Sequence, residues 1–133
     1  GFPVVDADPD RIRQVLRNLL DNAVKYSPDG GLIVTRGEAT ESEVVISVAD
    51  QGVGISPEHL NRLFDKFFRV ESGLGRHVVG SGLGLPISRT IIEAHGGRIW
   101  AESQVGQGTT FYFTLPLDGL SAHSSQESSR YER

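Results

Sequence analysis

Asp8 to Ser27, DPDRIRQVLRNLLDNAVKYS, constrains the fold more than any other stretch, because its spacing fits an amphipathic helix that needs a second layer beneath it. Asp8 is a good N-cap, and Pro9 suits the first helical position, where a missing N–H costs nothing. Ile12, Val15, Leu16, Leu19, Leu20, Ala23 and Val24 recur every three or four residues, so one broad face is apolar and is expected to pack on a sheet. Beside it, Asn18, Asn22 and Lys25 stand at i, i+4 and i+7, which sets two amides and an ammonium in one row.

Two readings of that row stay open on these residues alone. It is a solvated helix flank, as polar residues beside a core usually are. Or it is a site: asparagine is a middling helix former, an amide oxygen is a hard ligand suited to Mg²⁺, and a lysine one turn on meets a phosphate as a point charge. Only two of the thirteen Lys and Arg are lysines, Lys25 and Lys66, so both stand out. At 133 residues the chain suits one domain with a proper core. No apolar run approaches the ~20 residues of a membrane-spanning helix. A net charge of −4 gives no support to nucleic-acid binding, and the absence of cysteine excludes disulfides and thiolate metal sites. Gly1 to Val5 reads as the end of a strand entering the helix, so a piece of a longer protein is expected.

Ser27-Pro28-Asp29-Gly30-Gly31 ends the helix with dense turn chemistry. Leu32–Glu38 and Glu43–Asp50 read as a hairpin, with Val44, Ile46 and Val48 alternating along one face. Asp50-Gln51-Gly52-Val53-Gly54-Ile55 follows; it reads as an ordinary turn, or as a carboxylate beside glycines that let a bound base come close to the backbone. Ser56-Pro57-Glu58 is expected to cap a short helix with Leu60, Leu63 and Phe64 inward. Phe64-Asp65-Lys66-Phe67-Phe68-Arg69 threads charge through aromatics, and Val70–Val79, without periodicity, reads as a loop anchored by them. Gly80-Ser81-Gly82-Leu83-Gly84-Leu85 leads into a helix expected from Pro86 to Ala94, with Leu85, Ile87, Ile91, Ile92 and Ala94 buried. A glycine-rich turn opening a helix is a ready anion site, although this spacing matches neither the phosphate-loop pattern nor the dinucleotide fingerprint. Arg98–Ser103 and Thr109–Leu115 form a second expected hairpin, with Trp100, Phe111 and Phe113 as core aromatics; Asp118–Arg133, nearly free of apolar residues, is expected to be disordered.

The order of these motifs resembles the ATP-binding signature of sensor histidine kinases: an Asn-bearing helix, Asp-x-Gly-x-Gly at a strand end, a Phe-rich box, Gly-x-Gly-x-Gly at a helix start and Gly-Gln-Gly-Thr at 106–109. The likeness runs from about Val4 to Leu117. It implies a two-layer α/β sandwich of the Bergerat type, shared with gyrase B and mismatch-repair ATPases, whose mixed, mainly antiparallel sheet is covered on one face by about three helices. The domain would span residues 1–117. By position, the resemblance implies that Asn22 holds Mg²⁺ on ATP, Asn18 supports it, and Lys25 reaches a phosphate. Tyr26 would lie along the nucleotide, Asp50 would accept from the adenine amine, and Gly52, Gly54 and Ile55 would flank the base. Arg69 would approach the γ-phosphate, with Phe64, Phe67 and Phe68 anchoring a lid. Gly80, Ser81, Gly82, Leu83 and Gly84 would wrap the phosphates, and Thr109 would close the adenine side.

In gyrase-type relatives the residue four before the magnesium Asn is a water-activating Glu. Here it is Asn18, no useful base near neutral pH, which favours a kinase over a hydrolase. The implied partners are a dimerisation domain carrying the phosphoacceptor His, outside this chain, and a response-regulator receiver domain, with a monomeric isolated domain in a homodimeric parent. The implied location is cytoplasmic, with the parent anchored in the inner membrane or not. His59, His77, His95 and His123 precede Leu60, Val78, Gly96 and Ser124, none the acidic residue that commonly follows a phosphoacceptor, so self-labelling is not expected. The alternatives are a nucleotide-sensing module without catalysis, a gyrase-type ATPase and a purely structural module.

Overall fold

Helix α1, Pro9–Lys25, starts where the Asp8 carboxylate accepts from the N–H groups of Asp10 and Arg11, as the cap chemistry predicts. The computed structural model describes residues 5–65 and 84–117. After α1 come β1 (Val34–Ala39), β2 (Glu43–Ala49), α2 (Pro57–Leu60), α3 (Gly84–Ala94), β3 (Ile99–Gln104) and β4 (Gly108–Pro116). The strands form one sheet in the order β1-β2-β4-β3, and every described pairing is antiparallel, in keeping with the mainly antiparallel sheet that the resemblance implies.

Side-chain alternation gives this sheet two unlike faces. Val44 and Val48 of β2 and Phe111, Phe113 and Leu115 of β4 are buried under α1 and α3, which contribute Val15, Leu19 and Ala23, and Leu85, Ile91 and Ile92. Each such side chain is worth about 1.5–3 kcal/mol when removed from water, so this single layer of contacts dominates the fold's stability. The helices also pack on each other.

Several expectations from sequence are corrected. Leu20 and Val24 are exposed, because the buried stripe of α1 is the narrower Val15-Leu19-Ala23 row; on α3, Ile87 and Ala94 are exposed too, the buried stripe there being Leu85, Ser88, Ile91 and Ile92. Trp100 is not a core residue. It pairs with Tyr112, which alternates away from Phe111 and Phe113, so the two rings stack on the open face at 5.0 Å with the Arg98 guanidinium 5.0 Å from the indole. Ser56 caps α2 by its carbonyl, which accepts from His59 and Leu60, while its hydroxyl is buried without a partner. Helix α3 starts two residues early, at Gly84, and β1 starts two residues late, at Val34.

Candidate functional site

Beyond the core, the inner face of the sheet ends in a polar row. Ser103 stands opposite Thr109, and Asp50, one residue past β2, donates its N–H to the Thr109 carbonyl at 2.8 Å. Two residues back the same row is apolar: Ala101, Phe111 and Val48. Asp50 is 6 % exposed. Its Oδ1 accepts from Gly52 N–H at 2.9 Å and from Thr109 N–H at 3.2 Å, whereas its Oδ2 is buried with no partner. Burial raises the Asp50 carboxyl above its ordinary value against the pull of those two N–H groups, and burial, then the Asp50 charge, raise the Tyr26 phenol. Such an orphaned acceptor is costly in a native interior unless some donor arrives to meet it.

The glycines around Asp50 have a different duty from the one expected. A Cβ on Gly52 would stand 1.9 Å from the Tyr26 carbonyl oxygen, and one on Gly54 would stand 2.2 Å from that of Gln104. Packing of the protein against itself therefore excludes a side chain there, with or without a ligand. Gly108, at φ +102° and with Asp50 O 2.1 Å from its would-be Cβ, is fixed the same way. The Tyr26 carbonyl also accepts from Val53 N–H at 2.9 Å, so the end of α1 is stitched to the Asp50 loop.

That stitch brings the asparagine row to the same end of the molecule. Tyr26 N–H donates to the Asn22 carbonyl, one turn back. Asn22 Nδ2 donates to the Asn18 carbonyl at 2.8 Å, and no other described residue binds its Oδ1. Asn18 Nδ2 donates to Gly84 O at 3.1 Å and to Ser88 Oγ at 3.0 Å, tying α1 to the first turn of α3. Lys25 is exposed in the last turn. Among the described residues no three His, Cys, Asp or Glu side chains form a metal cluster. A hard cation held here would thus rely on a lone amide oxygen plus ligand phosphates and water, a donor set that suits Mg²⁺ and no tightly chelated metal.

Phe64 is not brought to this end. It is part-buried against the core and lines a separate groove of about 550 Å³ with Arg11, Ile87 and Thr90, which neither Asn22 nor Asp50 touches. Phe67, Phe68, Arg69, the expected lid Val70–Val79, Gly80, Ser81, Gly82, Leu83 and the tail 118–133 lie outside the described residues. Sequence reasoning missed Ser103. Its Oγ accepts from Ile55 N–H at 2.8 Å and lies 2.8 Å from both Gly108 O and Thr109 Oγ1. The available signal was a small polar residue one pair from a hairpin turn, but only the register makes it meaningful.

A two-layer α/β domain that gathers a buried carboxylate with one open oxygen and an asparagine row at one end has the layout of a ligand site rather than of a plain structural module. Residues 7–119 match the model of the histidine kinase-, DNA gyrase B- and HSP90-like ATPase family, and the chain belongs to that family. It is 46 % identical over 114 residues to the sensor histidine kinase WalK of Bacillus subtilis, covering 84 % of this chain and 19 % of WalK. The mycobacterial sensor histidine kinase MprB superimposes with a TM-score of 0.74 at 33 % identity, covering 84 % of this chain and 76 % of that structure. Full-length ShkA in complex with AMPPNP gives a TM-score of 0.73 at 35 % identity, covering 86 % of this chain and 23 % of that one. The chain spans about a fifth of the length of WalK and corresponds to the catalytic, ATP-binding domain of sensor histidine kinases. Among the described residues, no helix is long and apolar enough to cross a membrane.

Proposed function

We propose that this chain binds Mg-ATP and positions its γ-phosphoryl group for transfer to a histidine on a dimerisation domain outside the chain, for onward transfer to the aspartate of a response regulator. The observation that carries the reading is Asp50 Oδ2, a buried acceptor left open in a row whose other polar atoms are bonded. An adenine amine is a donor of the right kind to fill it. Gly52, Gly54 and Ile55 shape the backbone around that base, Tyr26 lies beneath it, and Thr109 closes its far side.

Asn22 Oδ1 would hold Mg²⁺, which when bound neutralises charge on the transferring phosphates. Asn18 secures the first turn of α3, so that Gly84 N–H and its neighbours face the phosphates; Lys25 supplies a point charge. Gly80, Ser81, Gly82, Leu83 and Arg69 belong to this reading by position in the sequence. The Asn18 amide, already donating to Gly84 and Ser88, has no basic atom with which to activate water, so hydrolysis should be slow and the phosphoryl group kept for another acceptor. Residues 1–117 form the domain in this reading, working at the cytoplasmic face as one arm of a homodimeric kinase, with no role for nucleic acid.

Calorimetry with Mg²⁺ and a non-hydrolysable ATP analogue tests the binding half. Wild-type chain should bind, and Asp50→Asn, whose Nδ2 would present a donor where the amine expects an acceptor, should bind roughly a hundredfold more weakly while melting normally. Undiminished affinity in that variant would remove Asp50 from the site. Transfer of label from radioactive ATP to an added histidine-bearing dimerisation domain, with none on the chain alone, tests the catalytic half.

A further inference from the structure

We infer that Ser103 is a positioning residue that sets base specificity: by fixing where the Thr109 hydroxyl proton goes, it leaves Thr109 Oγ1, like the neighbouring Asp50 Oδ2, able only to accept. The inference rests on the ATP reading above and deepens it. It follows from counting protons. A serine hydroxyl has one hydrogen and two acceptor lone pairs. Ile55 N–H takes one lone pair of Ser103 Oγ at 2.8 Å. The Gly108 carbonyl can only accept, so the contact at 2.8 Å uses the one Ser103 hydrogen. The remaining contact, to Thr109 Oγ1 at 2.8 Å, must then be donated by Thr109 into the second lone pair. Ser103 is saturated, and the Thr109 proton is committed to it.

The consequence lies next door, where Thr109 N–H donates to Asp50 Oδ1. Thr109 Oγ1 keeps only lone pairs to offer, and Asp50 Oδ2 is likewise an acceptor. A purine with an amine at its 6-position brings two hydrogens to such a lining; one with a carbonyl there brings none. A hydroxyl free to rotate would turn its proton toward that carbonyl and soften the rejection. Ser103 removes that freedom without touching the base. Ile55 and Thr109, at 1 % and 2 % exposed, leave water little room to substitute for it.

The test is the ratio of affinities for Mg²⁺-bound non-hydrolysable ATP and GTP analogues. Ser103→Ala should lower the ATP preference about fivefold, the factor one net hydrogen bond conveys, and Ser103→Thr, which keeps the hydroxyl, should restore it. In a Thr109→Val background Ser103→Ala should leave the ratio where Thr109→Val put it, because both act through one proton. Equal weakening of both nucleotides, or an undiminished effect of Ser103→Ala in the Thr109→Val background, would overturn the inference and leave ATP binding standing. Should Ser103→Ala not fold, Thr109→Ser must keep the ratio and Thr109→Val must lose it; equal ratios in the two would be as decisive against. A wild-type chain that binds neither analogue sinks the underlying reading instead.

Discussion

In the proposed reading, the base end and the phosphate end of the site are built by different means. At the base end the functional atoms sit on or next to strands, buried, with backbone groups holding Asp50 Oδ1 and carbonyls pressed against Gly52, Gly54 and Gly108. At the phosphate end they are side chains along one helix, part-buried at Asn18 and Asn22 and exposed at Lys25. Recognition of a flat base by one or two hydrogen bonds requires fixed positions, because discrimination there comes from a donor or acceptor that cannot move aside. Holding a triphosphate requires charge and a metal ligand, which tolerate a longer reach. If ATP binds as proposed, specificity is invested in the sheet and charge handling in the helix.

Crowding the backbone at the base end should therefore cost the fold itself. Gly52→Ala puts a methyl 1.9 Å from a backbone oxygen and is expected to destabilise by more than about 3 kcal/mol in chemical denaturation. Gly106→Ala, in the neighbouring turn at φ +83° with nothing within 4 Å, is the matched control, and its left-handed backbone alone should cost about 1 kcal/mol. If the two variants cost the same, crowding at Gly52 is not what fixes the loop. The phosphate end should behave oppositely. Lys25→Ala is expected to leave the melting temperature unchanged and weaken ATP-analogue binding roughly fivefold at low ionic strength, with the gap closing as salt screens the exposed charge. A salt-independent loss would place Lys25 in a buried contact.

How much of this was legible before the structure follows the same division. The cap at Asp8, the asparagine row, both hairpins and the acidic strand end rest on local patterns of a few residues, and each is where the pattern put it. What escaped depends on which residues meet across the fold. Trp100 reads as core from its size and apolarity alone; its face is decided by pairing with Tyr112, which a count of aromatics does not reveal. By pattern Gly52 and Gly54 read as room for a ligand, yet the Tyr26 and Gln104 carbonyls occupy the space of their missing side chains. Ser103 carries no distinctive signal in the sequence, since serine near a turn is ordinary; its meaning lies in the partners Ile55, Gly108 and Thr109, two of them within six residues and one 48 residues away. Leu20 and Val24 fit the helical period but lie beyond the covered stripe.

The Asp50 carboxyl links stability and binding, with opposite signs. Burial raises it above its ordinary 3.8, so the folded state prefers the protonated form; that contribution to stability is full below the ordinary value and is lost as pH rises through the raised one. Accepting an amine hydrogen at Oδ2 favours the ionised form, so a bound adenine should pull the carboxyl back down. Carbon-13 NMR of the Asp50 side chain, titrated with and without saturating Mg²⁺ and a non-hydrolysable ATP analogue, reads this atom directly. The expected result is titration above the ordinary aspartate range in the free chain and a clear downward shift when nucleotide is bound. A carboxyl that titrates at the same pH in both states would mean that no donor reaches Oδ2 and that the base is held elsewhere.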